Sequence, residues 1–435
     1  MASDEIGAYK RLLYMSPFPP SGLSGAASIM SNLMRHYPPS DMWMLVEERA
    51  ARTAAAFDQP CRMETVRWPD LSGLRQLARK SWPRNISTPS VKEAATTTDS
   101  SDAVGRLGWH LANAIVYSWI PVIASRATRM IRRENIEAIL AVQGGAPFTI
   151  AAHEAHRRTG VPLYVFAMDE WLLNTTYPSL IHSLAGKFYE PRVIRDAAWL
   201  WGISPRMVED WQERFGRRGE VLWHSVDVDS FQSVNRSPLG QAPTVTVLGT
   251  IYGVNAANFR SLVSAAADLR EQVPALAGLR VRLRTTQDAA LLRTDGAVPP
   301  FDWVDVAPLG EADVPQALAD SDVLFLGLSF EASWARAVEV AFPTKLAEYL
   351  ASGKPIIVFA PGYAAATAYV KGLDCGWVVD RPDESLLKKA LLAALTDREA
   401  ARSKADKALN VARLNHNRAE LEAQFLRRFR RDAPQ

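Results

Sequence analysis

The chain has 435 residues, 48% hydrophobic and 22% charged, with 50 Lys and Arg against 47 Asp and Glu. That length exceeds one ordinary core and predicts two domains of roughly 200 residues each. A net charge of +3 gives nucleic-acid binding no bulk electrostatic support, and the two distant cysteines, Cys61 and Cys375, make neither a disulfide framework nor a metal site.

The chain opens "MASDEIGAYKRLLYMS", with acidic residues where a signal peptide needs a basic region and an apolar stretch. A cytoplasmic protein is expected, and the sequons at Asn85 and Asn174 read as chance. "RLLYMS" (11–16) is strand-like and runs into "PFPPSGLSGAASIMSNLMRHYP", a Gly-rich turn followed by an amphipathic helix. Gly22 and Gly25 permit close backbone approach, while Ser24 and the helix start offer donors to an anion. "MWMLVE" (42–47), "AILAVQ" (138–143), "PLYVFAMD" (162–169) and "AAWLWGIS" (197–204) continue the strand series, with helical periodicity between most of them. Two stretches break the rhythm. Residues 81–104, rich in Ser, Thr and Pro, read as a mobile loop or a disordered insertion. Residues 109–133 read either as a long core helix with an arginine-rich end, or as a helix that also touches a membrane surface through Trp109, Tyr117 and Trp119.

"HEAH" (153–156) lacks zinc-helix spacing and reads as a solvated helix face. In "FAMDEW" (166–171), Asp169 stands at a strand's carboxyl end, either as a functional carboxylate or as a helix cap for the next segment. His224 is placed near a hinge and given no chemistry. The polar stretch 225–244 is the best linker. It divides an N-terminal domain, 1–235, from a C-terminal one, 236–435, whose last helix is expected to return to the first.

In the second half "TVTVLG" (244–249), "RVRLRT" (280–285), "DVLFLGL" (322–328), "PIIVFAP" (355–361) and "GWVVD" (376–380) repeat the alternation. Strands apolar on both faces and separated by helices indicate parallel sheets covered on both sides. The fold class is therefore α/β, two Rossmann-like domains facing across a cleft, with ligands expected at the strands' carboxyl ends. "FPTKLAEYLASGKPIIV" (342–358) carries the sharpest signal. Pro343 reads as the first residue of a helix, with Thr344 and Lys345 in the first turn, where free N–H groups and the dipole favour an anion. Glu348 lies three residues on, along the same face, where a carboxylate accepts two ribose hydroxyls. An ordinary Lys–Glu helical pair is the alternative. Neither G-x-G-x-x-G nor a Walker loop is present, and no Asp-x-Asp clamp has the right context.

This motif resembles the nucleotide-sugar motif of GT-B-fold retaining glycosyltransferases of the family 4 type, in the branch that writes it F-P-[ST]-K-L. "VTVLGTIYGVNAANFRSLVSAAADL" (245–269) resembles the opening of that family's second domain, "ADSDVLFLGLS" (319–329) its late strand, and "ISPRMVEDWQERFG" (203–216) the end of its first domain. The resemblance implies a nucleotide-sugar donor held by Glu348 at the ribose and by Thr344 and Lys345 at the diphosphate. Gly22, Ser24 and Gly25 would lie over the phosphates, with Gly249, Thr250 and Arg284 also on the donor. Asp169 would meet the acceptor hydroxyl or the donor sugar. Where many relatives carry a glutamate eight residues before the ribose carboxylate, this chain has Val340, beside Glu339. Lys345 then carries more of the leaving-group charge.

The implied reaction is sugar transfer to an acceptor hydroxyl with retention, without metal or cofactor, in polysaccharide or glycolipid assembly at the inner face of the plasma membrane. Residues 109–133 would touch the membrane, and no nucleic-acid partner is expected. A nucleotide-sugar epimerase or hydrolase, or a non-catalytic scaffold for a partner transferase, are the rivals.

Overall fold

In the computed structural model the described residues are 8–21, 25–53, 61–69, 103–143, 146–169, 180–234 and 242–431. The chain divides into two compact units, Met1–Trp223 with Ala419–Gln435, and His224–Arg418.

The first unit is built on a seven-stranded sheet: β1 (Leu12–Met15), β2 (Met42–Glu47), β3 (Arg62–Val66), β4 (Ala138–Val142), β5 (Leu163–Ala167), β6 (Trp199–Gly202) and β7 (Glu220–Val221). Its order is β3-β2-β1-β4-β5-β6-β7, and every neighbouring pair is parallel. Residues of β1, β2, β4 and β5 are buried throughout, as an apolar strand covered on both faces must be. The order reverses between β1 and β4, registered Leu12 to Ala138, the switch point where α/β sheets open a crevice.

The segment 109–133 forms parts of two helices, Ala103–Ser118 and Ile120–Glu134, with Pro121 in the first turn of the second. The second buries Ile120, Ile123, Ala124, Ala127, Met130 and Ile131, and it ends at Asn135 in the left-handed conformation. Of the expected loop 81–104, residues 103–104 open the helix Ala103–Ser118 and the rest lie outside the described residues. Helix Pro205–Phe215 starts at Ser204, whose hydroxyl accepts the Met207 N–H, and ends at Gly216 with φ 65°.

The C-terminal residues complete this unit. Lys10 N–H donates to the Phe429 carbonyl at 2.7 Å and Arg431 N–H to that of Ala8 at 2.9 Å. Phe425 and Phe429 enter an aromatic cluster with Trp201, Tyr164 and Tyr37, ring centres 4.9 to 6.2 Å apart.

The second unit holds a six-stranded parallel sheet: β8 (Thr244–Leu248), β9 (Arg280–Arg284), β10 (Val304–Ala307), β11 (Val323–Gly327), β12 (Ile356–Phe359) and β13 (Trp377–Val379), in the order β10-β9-β8-β11-β12-β13. The switch point lies between β8 and β11. Val228 and Phe231 of the short helix Val228–Gln232 are buried, and Gln232 Nε2 donates to the Ala351 carbonyl at 2.7 Å. His224 and His416 are buried together: the His416 Nδ1–H donates to the His224 carbonyl at 2.8 Å, and Nε2 meets the Tyr369 hydroxyl at 3.0 Å. Burial pushes both rings down, to about 3 and about 4, so both are neutral.

Candidate functional site

The carboxyl ends of β8 and β11 meet the helix Thr344–Ser352. Pro343 stands before the helix, with extended backbone and no side-chain cap, rather than as its first residue. Thr344 and Lys345 therefore open the first turn, where N–H groups lack intrahelical partners. The helix ends at Gly353, whose φ of 60° suits a residue without Cβ.

One residue of β8, Leu248, ties this helix to the sheet. Lys345 Nζ donates to the Leu248 carbonyl at 2.8 Å. The Leu248 N–H donates to the Tyr349 hydroxyl at 2.9 Å, and that hydroxyl donates to the Phe325 carbonyl at 3.2 Å. Tyr349 is fully buried and so joins β8 and β11 to the residue next to Glu348. Gly249 comes next with φ 89°, its N–H donating to the Arg284 carbonyl at 2.8 Å. A Cβ there would lie 3.7 Å from Lys345 Nζ, so the chain passes directly beside the ammonium.

Glu348 is partly buried, and among the described residues its carboxyl accepts no hydrogen bond. Burial raises its pKa first and the negative charge of Glu311 raises it further, against the pull of Lys345, to about 7. Polar groups removed from water are ordinarily hydrogen-bonded, so a half-buried carboxyl left with open acceptor sites is chemically suited to a hydroxyl-bearing ligand. The Thr344 hydroxyl is likewise without a hydrogen bond among the described residues.

The structure brings Gly249, Thr344, Lys345 and Glu348 to one edge of the second unit. Thr250 is exposed, its carbonyl held by Asn255 Nδ2 at 3.0 Å. The Arg284 side chain is committed to Asp305 at 2.7 Å, leaving its carbonyl on Gly249. Gly25 and Asp169 belong to the first unit. Gly25 opens the helix Gly25–Leu33, while Gly22 and Ser24 lie outside the described residues. Asp169 comes after β5, and both its N–H and that of Met168 donate to Gln143 Oε1, at 3.3 and 3.0 Å. The stretch it was offered as capping, from 170 to 179, lies outside the described residues.

A further expectation is corrected. His153 is not on a solvated face: it is fully buried, Nε2 2.7 Å from the Asp196 carboxylate. Its helix, Ala146–Thr159, is packed between neighbours and buries nine of its residues, a burial that its weak apolar periodicity conceals. Val340, which stands where many relatives carry glutamate, is buried at the end of helix Ala335–Val340.

Three residues escaped the sequence reading. Tyr349 looked like one more apolar position of an amphipathic helix. Gln287 grips the loop after Gly249 by accepting the Ile251 N–H at 2.7 Å and donating to its carbonyl at 3.0 Å. Glu47, at the carboxyl end of β2, is buried with one carboxylate oxygen unpartnered among the described residues, and burial pushes its pKa up to about 7 against its bond to the Ala50 N–H. Its place at the end of a strand that is buried on both faces was the available signal. Among the described residues no three His, Cys, Asp or Glu side chains are grouped to hold a metal ion.

No protein-family model and no curated protein sequence matches the chain. Solved structures do. A crystal structure of HepE from Anabaena in complex with UDP and glucose is 13% identical, covering 96% of this chain and 98% of that one, with a TM-score of 0.60. A glycosyltransferase from Rickettsia africae is 11% identical over 97% and 98% of the two chains, with a TM-score of 0.65. WaaG, a glycosyltransferase involved in lipopolysaccharide biosynthesis, is 13% identical over 95% and 99%, with a TM-score of 0.58. The chain has the two-sheet α/β fold of these GT-B glycosyltransferases.

Proposed function

We propose that this chain is a glycosyltransferase that moves a sugar from a nucleoside-diphosphate donor to an acceptor hydroxyl. One observation carries the reading. On one helix, an ammonium at a start without a side-chain cap is followed by a carboxyl that no described residue hydrogen-bonds. The first suits a diphosphate and the second the two hydroxyls of a ribose. HepE, seen with UDP and glucose and also with UDP-glucose, supports the donor class.

In the proposed reaction the bond between the sugar's anomeric carbon and the diphosphate oxygen breaks, and its electron pair leaves with the diphosphate. A new bond forms to the acceptor oxygen, whose proton passes to the departing diphosphate. Lys345 and the first-turn N–H groups stabilise the charge that develops on the leaving group. Thr344 adds a hydroxyl donor, and Gly249 keeps the strand end clear beside the phosphates. Asp169 is assigned to hydroxyls of the acceptor or the sugar. Retention, independence from metal, and an acceptor in polysaccharide or glycolipid assembly at the cytoplasmic face of a membrane rest on the motif's resemblance. The role of WaaG in lipopolysaccharide biosynthesis is consistent with such an acceptor.

The buried Val340, in the place where many relatives carry glutamate, favours one rival, a non-catalytic scaffold that binds a partner transferase. Calorimetry with nucleoside diphosphates, the matching monophosphates and free sugars tests the donor reading. A diphosphate should bind roughly tenfold or more above the others, since its second phosphate meets Lys345. Equal or absent binding of all three overturns it. Product formation that requires an acceptor then separates transfer from hydrolysis.

A further inference from the structure

Two helices of the first unit leave rows of large apolar side chains in water. On helix Leu180–Asp196, Leu180, Leu184 and Phe188 recur every four residues and are 66%, 56% and 52% exposed. Positions four apart lie above one another on a helix, so the three form one row. On helix Ala103–Ser118, Leu107 and Leu111 are 60% and 46% exposed. The helices meet where the Tyr117 hydroxyl lies 2.6 Å from His182 Nδ1. Single exposed leucines are ordinary; five large apolar residues on two adjoining helices mark an interaction surface.

The exposed charges around the rows are predominantly positive. Lys187, Arg192 and Arg195 are exposed on the same helix, and the Arg192 guanidinium lies 3.6 Å from the Phe188 ring centre. Arg129 and Arg132 are exposed on helix Ile120–Glu134, which packs against Ala103–Ser118. The acidic residues of all three helices are Glu134, Glu190 and Asp196. Glu134 is paired with Arg62 and Arg133 and Glu190 with Arg214, while the Asp196 carboxylate lies 2.7 Å from the buried His153 Nε2. Apolar residues rimmed by five exposed cations, with Asp196 the one exposed carboxylate on these three helices, complement an anionic lipid surface better than a protein partner of mixed charge.

We propose that this face seats the first unit on an anionic bilayer, with Leu180, Leu184 and Phe188 entering between headgroups and Lys187, Arg192 and Arg195 meeting lipid phosphates. No described helix is long and apolar enough to cross a membrane, so the contact lies along the surface. It falls largely outside the segment 109–133. Helix Ile120–Glu134 turns its apolar face inward, and the Trp119 ring N–H is tied to the Arg67 carbonyl at 3.1 Å. Helix Leu180–Asp196 comes after β5 and leads to β6, parallel to it, so its first turn lies toward the carboxyl edge that bears Asp169. A lipid-borne hydroxyl would reach that edge from the bilayer.

Flotation of the full chain with vesicles of phosphatidylcholine alone, or of phosphatidylcholine with phosphatidylglycerol, tests this without nucleotide and so apart from the transfer reaction. The protein should float with the anionic vesicles at low salt and stay behind with the neutral ones. Lys187→Gln with Arg195→Gln should lower the partition coefficient by roughly tenfold or more. Leu184→Glu with Phe188→Glu should abolish flotation at an unchanged melting temperature. Absence of flotation on anionic vesicles, equal flotation on neutral ones, or wild-type flotation of the charge variant overturns the proposal. So does a dimer in light scattering that the Leu184/Phe188 variant splits, because the face then belongs to a second copy.

Discussion

Lys345 holds the carbonyl of Leu248, 97 positions earlier in the chain, at 2.8 Å. That carbonyl is the last of β8, so the ammonium is stationed where a phosphate at the start of helix Thr344–Ser352 would arrive. In the proposed reaction a bound diphosphate would exchange a partial negative charge for a full one, an exchange that would become more favourable as the leaving group gains charge.

Lys345→Ala should therefore lower turnover more than donor affinity. A charge-assisted contact of about 1.5–3 kcal/mol corresponds to roughly ten- to several-hundred-fold in rate. Steady-state kinetics beside a melting curve check it: normal turnover would assign Lys345 to the strand end alone.

The acid–base behaviour of Glu348 gives a second prediction. Its carboxyl titrates near 4.5 when unperturbed and at about 7 in the fold. The native state therefore binds the extra proton between those values, and this group's contribution to stability falls as pH rises from about 4.5 through about 7. Glu47 titrates in the same direction, also to about 7, so the wild-type curve carries both. Glu348→Gln should remove one of the two declines, gaining stability relative to wild type above pH 7 and none below about pH 4.5. In the proposed donor site ribose hydroxyls would donate to the ionised form, so the Glu348-dependent part of nucleotide affinity should rise through pH 7 and vanish in the glutamine variant. Parallel pH profiles of the two proteins would remove Glu348 from the site.

Gly249→Ala separates backbone from space. The added Cβ would make only an ordinary contact, 3.7 Å from Lys345 Nζ, but φ is 89°. The cost should be about 1–2 kcal/mol, from the left-handed backbone. Gly362, whose Cβ would meet Asp380 at the same 3.7 Å without a positive φ, is the control. There alanine should be neutral or stabilising by up to about 1 kcal/mol. Urea titrations in which both variants behave alike would contradict this.

Phe429→Ala empties the aromatic cluster of the first unit. The ring is fully buried, 6.0 Å from Trp201 and 4.9 Å from Tyr164. Its removal should cost about 3–5 kcal/mol, read as a lower urea midpoint in tryptophan fluorescence. A midpoint within error of wild type would mean that residue 429 closes nothing.

Much of the architecture was legible because buried parallel strands announce themselves. All ten apolar runs read as strands are strands, and the three that were missed are β3, β7 and β10. Each is an edge strand, exposed on one flank and freed from the continuous apolar pattern; β7 has two residues. The Thr344–Ser352 helix was legible through Pro343 and Gly353, its local boundary signals. Its attachment was not, since the bonds from Tyr349 and Lys345 run to residues about a hundred positions away. The exposed row at 180–188 was missed for a different reason. Pro191 sits inside that helix, and its apolar residues are spread around the axis, so no stripe stood out before burial could be measured.

The first unit draws its final residues, Phe425 and Phe429 among them, from the far end of the chain. A ribosome emits the entire second unit, His224–Arg418, before those residues appear. At elongation rates of about 5–20 residues per second this leaves the first sheet waiting roughly 10–40 s, with Trp201 and Tyr164 lacking their cover. Through that interval the faces of Trp201 and Tyr164 that Phe425 and Phe429 later cover stay open, and a chain cut short before Ala419 would never close them.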